Sequence, residues 1–174
     1  GGDTGHKIAI MASLLSRGYV PYNAIPIEGI TTINTEDIVF ARELGYTIKL
    51  LGIIKRDMTG KNDLDVRVHP TLLHKNHILA SVSDVYNAAL IEGDAVGRIL
   101  LYGRGAGEMP TGSAVVSDII DVARNIDGRT AIRIPMSYYS TSHKIRWKPI
   151  ESIASRYYLR FTVQDRPGVF ASIA

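Results

Sequence analysis

The sequence predicts an α+β domain: a mostly antiparallel mixed sheet, one face of it covered by helices over residues 3–17, 35–44 and 111–125. Three observations carry that expectation. Apolar residues near the N-terminus recur at helical spacing, and a long helical stretch follows a glycine-rich turn. Between them, strand-like runs are joined by connections too short for a parallel crossover.

Asp3 or Thr4 is placed to cap a first helix through His6 and Leu15, ended by Arg17-Gly18, with Ile8, Met11, Leu14 and Leu15 as its core face. Ile25 to Ile30 is a short extended piece, and Asn34 to Asp37 caps a second helix that runs to Leu44 and stops at Gly45. Tyr46 to Lys55 is a β-branched strand, and Leu64 to Pro70 alternates apolar with polar. Gly60 to Asp63 supplies hairpin chemistry between them. Val85–Ile91 and Gly97–Tyr102 form a second antiparallel pair around Glu92-Gly93-Asp94-Ala95. Gly103 to Gly107 then leads into a helix from Thr111 to Asn125. Residues 128–150 read as a polar linker holding Pro135 and Pro149. Tyr157 to Val163 is a strand, and Gln164 to Val169 opens a helix. A lone strand cannot make a domain, so residues 156–174 read as the start of a further one.

Composition narrows the class. The chain has 174 residues, 45% hydrophobic and 21% charged, enough apolar material for a core and against wholesale disorder. No apolar run approaches the ~18 residues of a membrane span, and the N-terminus lacks a signal-peptide layout. The absence of cysteine excludes disulfides, thiolate metal sites and a cysteine nucleophile, and it is compatible with a cytoplasmic setting. Basic residues do not cluster: Lys55-Arg56, Lys61 and 143–148 are short and interrupted, and a solvated linker suits the last run better than a nucleic-acid patch. Neither nucleic acid nor membrane is expected as a partner. The chain opens on Gly1-Gly2-Asp3 without Met and stops at Ala174 in mid-pattern, so both ends read as cut.

Three stretches bear on chemistry. Asp3 and Lys7 lie four apart, on one helical face. They fit an ordinary surface ion pair. They also fit a lysine held by a carboxylate and exchanging a proton with a substrate oxygen, with the positive helix end favouring proton release. Gly103-x-Gly105-x-Gly107, between strand and helix, lets backbone approach a ligand closely or merely makes a tight turn. Its spacing is not that of a first βαβ nucleotide fingerprint. His69, His74 and His77 have no acidic neighbour before Asp84, so they read as surface loop residues and no metal is assigned.

Taken in order, six blocks resemble the homoserine dehydrogenase family: Gly2-Asp3-x-x-His6-Lys7-Ile8; Ile27-Glu28-Gly29-Ile30 with Asp37-Ile38; Ala41 to Leu51; Val68-His69-Pro70; Glu92 to Gly97; and Tyr102 to Gly107 through Pro110-Thr111 to Asp118. The tail, Tyr157 to Phe161 with Asp165-x-Pro167-Gly168-Val169, is similar to the opening of an ACT regulatory domain of ferredoxin-like fold. The resemblance implies a catalytic, substrate-binding and dimerisation domain over 1–150 and a truncated ACT start over 156–174. It implies NAD(P)-dependent interconversion of L-homoserine and L-aspartate 4-semialdehyde, on the route to threonine and methionine. Lys7 matches the proton donor to the carbonyl, and Asp3 the carboxylate that binds substrate and orients that lysine. Gly107, and less directly Gly105, match cofactor-contacting positions. A homodimer, formed where the Tyr46–Lys55 run suits a sheet interface, and a threonine effector are implied as well.

The family's dinucleotide-binding domain would precede Gly1, together with a further catalytic lysine, a monovalent-cation site and a substrate-binding Glu. These 174 residues alone are therefore expected to be inactive. Two alternatives stand beside this. One is a non-catalytic dimerisation or regulatory module that senses an amino acid. The other, aspartate-semialdehyde dehydrogenase, needs a cysteine nucleophile that the chain lacks.

Overall fold

A computed structural model describes residues 1–56, 63–128 and 145–173. The elements run α1 (Gly2–Ser16), α2 (Thr35–Glu43), β1 (Tyr46–Arg56), β2 (Leu64–His74), β3 (Tyr86–Gly93), β4 (Gly97–Arg104), α3 (Glu108–Ile126) and the short α4 (Val169–Ile173). Single 3-10 turns lie at Tyr22–Ala24, Ile78–Ser81 and Ile150–Ser152. The expected α+β class holds, with antiparallel pairing throughout the named strands.

β1 pairs with β2 from Tyr46 opposite His74 to Arg56 opposite Leu64. β3 pairs with β4 from Tyr86 opposite Arg104 to Gly93 opposite Gly97. These are two separate two-stranded sheets rather than the single sheet the sequence suggests. Each hairpin is specified locally by its short connection, whereas edge-to-edge joining of hairpins is a long-range matter that alternation does not encode. The mixed character comes from β2's other edge, where Ile27 bridges Val68 and Trp147 bridges Leu64, both parallel. Pro70, lacking an N–H, is tolerated inside β2 two residues past the Val68 bridge.

The core lies on one face of the first ladder. Leu64, Val66 and Val68 of β2 meet Ile8 and Ala12 of α1 together with Val20 and Ile25, while Leu50, Ile54, Ile145 and Trp147 close around them. Each fully buried aliphatic side chain there contributes roughly 1.5–3 kcal/mol. The alternate β2 residues carry a polar row, in which the Arg67 guanidinium donates to Asp65 and its Nε donates to His69 Nε2 at 3.0 Å. Asp65 and Arg67 are both buried, so their charges are matched within the strand.

Further expectations are corrected. Gly1, not Asp3 or Thr4, is the N-cap of α1, and it offers no side-chain cap. The buried face of α1 is Gly5, Ile8, Ala12, Ser13 and Ser16, with Met11 and Leu15 exposed. Small residues occupy that face because the helix lies close to its neighbours: a Cβ on Gly52 would stand 2.5 Å from Ile8 Cδ1. Ser13 sits there without loss, its hydroxyl donating to Ala9 O at 2.7 Å and accepting from Val20 N at 3.0 Å.

The third helix does not cover a sheet: α3 buries none of its residues, and Val115, Val116, Ile119, Ile120 and Val122 are 45–61% exposed. An apolar stripe shows that a helix has a side to cover but not which surface covers it. Finally, residues 145–148 are not free linker, since Leu64 N donates to Arg146 O at 2.8 Å and Lys148 N to Leu64 O at 3.0 Å. His143, Lys144 and Pro135 fall outside the described residues, as do the turn positions Gly60 to Asn62.

The histidines are also placed differently from the loop expectation. His69 and His74 lie within β2, where His74 meets the Tyr46 ring edge-on at 5.7 Å. His77 caps the 3-10 turn that follows it, its Nδ1 accepting from Leu79 N at 3.2 Å. At the other end, Tyr157 to Val163 joins no ladder among the described residues, contrary to the strand expected there. It is tied instead to α2 by Arg160, which reaches both Glu36 and Asp37.

Candidate active site

The first two turns of α1 carry the Asp3–Lys7 pair. Helical geometry puts residues four apart on one side, and here Lys7 Nζ stands 2.8 Å from Asp3 Oδ2. The pair points away from the buried Gly5–Ile8–Ala12 face. Both side chains are open to solvent, Lys7 at 61% and Asp3 at 83%. The hydrogen bond from Lys7 and its positive charge hold the Asp3 carboxyl below its ordinary value. An ionised carboxylate that fixes an ammonium leaves the remaining ammonium protons aimed at whatever docks on that side, which is the geometry a positioned proton donor needs.

Glycines let this helix start approach the segment that follows it. A Cβ on Gly5 would lie 2.8 Å from Tyr22 Cε2 and collide with Ile27. One on Gly1 would lie 2.9 Å from Ile27 Cγ2. Ile27 is itself held by the Val68 bridge, with Val68 N donating to Pro26 O at 2.9 Å and Glu28 N to Val68 O at 2.8 Å. So the sheet fixes the loop, and the loop fixes the start of α1. Gly5 has a packing role here: it is buried, and its smallness admits Tyr22 and Ile27.

The glycine turn stands at the end of the second ladder. Gly107 is the N-cap of α3 with φ 126 and ψ 149, a backbone region open essentially to glycine alone. No side chain caps α3, so its first N–H groups are left for solvent or a ligand, and a Cβ on Gly103 would meet nothing within 4 Å. These positions fit close approach by an anionic cofactor. Gly105 fits that use less well, because a Cβ there would lie 2.6 Å from Asn87 Cγ; its smallness serves the ladder, and its N–H donates to Val85 O at 3.0 Å. The neighbouring Arg104 lies 5.8 Å from the centre of the Tyr86 ring, which stacks on Tyr102.

Asp3 and Lys7 are thus brought together, whereas Gly105 and Gly107 belong to a different ladder from the one that supports α1. Two depressions lie elsewhere. One of about 650 Å³ runs along α3 from Ser113 to Arg124. Another of about 370 Å³ lies between Ile38 and Arg42 of α2 and Tyr46 to Leu50 of β1. Two supporting residues are hidden from sequence reasoning in different degrees. Gly52 carries a signal, a glycine inside a β-branched run, which marks a close backbone approach. Tyr22, stacked on His6 at 4.2 Å, carries none.

Comparison with known proteins bears on what this arrangement belongs to. The sequence model of the homoserine dehydrogenase family matches residues 1–120. A homoserine dehydrogenase from Neisseria gonorrhoeae is 44% identical over all of this chain and 40% of its own length. One from Synechocystis is 42% identical over 98% of this chain and 40% of its own length. Among solved structures, a homoserine dehydrogenase from Thiobacillus denitrificans superposes with a TM-score of 0.79 at 36% identity, covering 98% of this chain and 39% of its own. One from S. aureus gives 0.63 at 38% identity over 76% of this chain and 33% of its own. The chain spans about 40% of the length of the curated relatives it matches. The match takes in the Asp3–Lys7 helix, both ladders and the glycine turn, and on that footing the chain belongs to the homoserine dehydrogenase family.

Proposed function

We propose that this chain supplies the substrate-orienting and proton-transferring part of an oxidoreductase that interconverts L-homoserine and L-aspartate 4-semialdehyde. The observation that carries the reading is the 2.8 Å Asp3–Lys7 contact on the open side of α1, inside the span matched by the family. During reduction, Lys7 gives a proton from its ammonium to the aldehyde oxygen as that oxygen gains electrons; in reverse it accepts the hydroxyl proton. Asp3 holds the lysine to one side and offers its second carboxylate oxygen to the substrate's ammonium group. A nicotinamide cofactor, NAD or NADP, supplies or takes the hydride when bound. Gly107, with its glycine-only backbone, is where this chain would touch it; Gly105 takes a lesser share.

On this reading residues 1–150 form the catalytic and dimerising part, and residues 156–174 open an ACT module through which threonine acts. The half-buried run of β1 supports a homodimer built on that strand. The reaction belongs to the cytoplasmic route to threonine and methionine.

The experiment is kinetic. In a protein of full family length carrying these residues, Lys7→Ala lowers kcat by about 10²–10⁴-fold while KM changes far less. An unaltered kcat refutes Lys7 as the acid. The 174 residues alone should give no homoserine-dependent NADPH formation, given how little of the relatives' length they span.

A further inference from the structure

We propose that the stacked rings of His6 and Tyr22 are the positioning device that holds the first two turns of α1, and with them the Asp3–Lys7 pair, against the body of the protein. The inference deepens the proposed role of Lys7 and rests on it for its functional meaning.

The start of α1 is poorly secured by local rules. Its N-cap is Gly1 with no side-chain cap bond, and Asp3, a good capping residue, lies inside the helix instead. Gly2 and Gly5 are both helical, and glycine is the weakest helix former after proline. From Ile8 onward the helix is gripped by the core, and ahead of it Ile27 meets the helix at Gly1 and Gly5, a contact that reaches neither Asp3 nor Lys7 directly. The turn that carries Asp3 and Lys7 needs a second hold beside Ile27.

Tyr22 is placed to do so. It begins a 3-10 turn closed by Ala24 N donating to Pro21 O at 3.0 Å and Ile25 N donating to Tyr22 O at 3.2 Å, and Ile25 is anchored in the core. Its ring edge lies against Gly5, where a Cβ would be 2.8 Å away, and its hydroxyl lies near Gly2, where a Cβ would be 3.6 Å away. The ring face is taken by His6, centroids 4.2 Å apart and planes 13° from parallel. Aromatic pairs at that separation attract beyond simple burial. His6 is the immediate neighbour of Lys7 and three residues from Asp3, so a fixed His6 ring fixes the rotation of the turn that aims both.

NMR on the 174-residue chain tests this with Tyr22→Leu, Tyr22→Phe, His6→Ala and His6→Phe. Two quantities are followed: amide exchange over residues 5–8 and the titration of the Asp3 carboxyl. Tyr22→Leu and His6→Ala should speed that exchange roughly three- to tenfold. They should also move the Asp3 midpoint up toward an ordinary carboxylate as Lys7 loosens, while Val66 and Val68 amides stay protected. Tyr22→Phe should behave as wild type in both quantities, and His6→Phe should match wild type in exchange. The His6 charge itself helps hold the Asp3 carboxyl down, so for the His6 variants the titration is compared between the two rather than with wild type. His6→Phe and His6→Ala remove the histidine's charge equally, so their difference isolates the ring.

Unchanged exchange in Tyr22→Leu and His6→Ala, a Tyr22→Phe that behaves like Tyr22→Leu, or a His6→Phe whose exchange and Asp3 midpoint equal those of His6→Ala, would overturn the proposal. Should Tyr22→Leu fail to fold, the exposed His6 pair decides alone. Loss of kcat in Lys7→Ala is a separate reading: a stack that positions an inert pair passes here and fails there.

Discussion

Gly52 and Gly112 both sit inside regular elements, yet their surroundings make opposite demands. At Gly52, in β1, a side chain would run into Ile8 and come within 3.2 Å of Thr4 Cγ2, so the close approach of α1 to β1 there needs a residue without a Cβ. At Gly112, in α3, a Cβ would meet nothing within 4 Å. Gly52→Ala should therefore destabilise by about 1–3 kcal/mol, the usual range for overpacking, read as a lower urea midpoint. Gly112→Ala should do the reverse, favouring α3 by about 0.5–1 kcal/mol, read as slower amide exchange along that helix. Equal effects at the two positions would deny that α1 rests on β1 at Gly52. At this scale the sequence carries part of the answer. A glycine breaking a β-branched run announces a close approach, and Asp3 and Lys7 at an offset of four announce a shared face. That Tyr22 covers Gly5 is not announced, because the two meet only once Ile25 and Ile27 have docked on the core and on β2.

Helices α1 and α3 differ in what their apolar residues accomplish. Ile8 is 7% exposed and belongs to the core, whereas Ile119 is 61% exposed on the flank of a helix that buries nothing. Truncating Ile8 to Ala should cost about 2–5 kcal/mol, while Ile119→Lys should stay within about 0.5 kcal/mol in the same denaturation assay. A large loss at Ile119 would mean that α3 packs on the domain in solution. Strand identity was legible: β1 begins at Tyr46 as read, and β2 begins at Leu64. Local hydrophobic period and short connections set these, and neither depends on distant chain. The covered face of α1 was less legible, since apart from Ile8 its buried residues are glycine, alanine and serine, which carry little hydrophobic signal. The seat of α3 was not legible at all, because a stripe of Val and Ile is the same whichever surface receives it.

Among the described residues, long-range ties fasten distant segments to the first ladder and to α2: the Ile27 and Trp147 bridges on the edge of β2, and Arg160 at the start of α2. The last joins residues far apart in sequence, and it falls on a helix end already organised for it. Asn34 and Asp37 exchange reciprocal capping bonds of 3.0 Å each, so the Asp37 carboxylate is fixed before Arg160 arrives. Arg160 Nε then stands 2.9 Å from Asp37 Oδ1, while its other arm meets Glu36, and Tyr158 adds a weaker bond to Asp37 at 3.4 Å. Two acids in the first turn of a helix also ease its dipole, so neutralising them is not free of cost to α2. Asp37 is only 10% exposed, but Glu36 is 70% exposed and screened, so most of the coupling should lie in the Asp37 arm. A double-mutant cycle on Arg160→Ala and Asp37→Asn should return a coupling of about 0.5–1 kcal/mol, and one on Arg160→Ala and Glu36→Gln much less. Arg160→Ala alone should open residues 156–168 to trypsin while the emission of Trp147, the single tryptophan, stays in place, because Trp147 is held by β2 and not by the tail. If the tail stays resistant in Arg160→Ala, or if Trp147 moves with it, then Arg160 is not what fastens the C-terminal segment to α2.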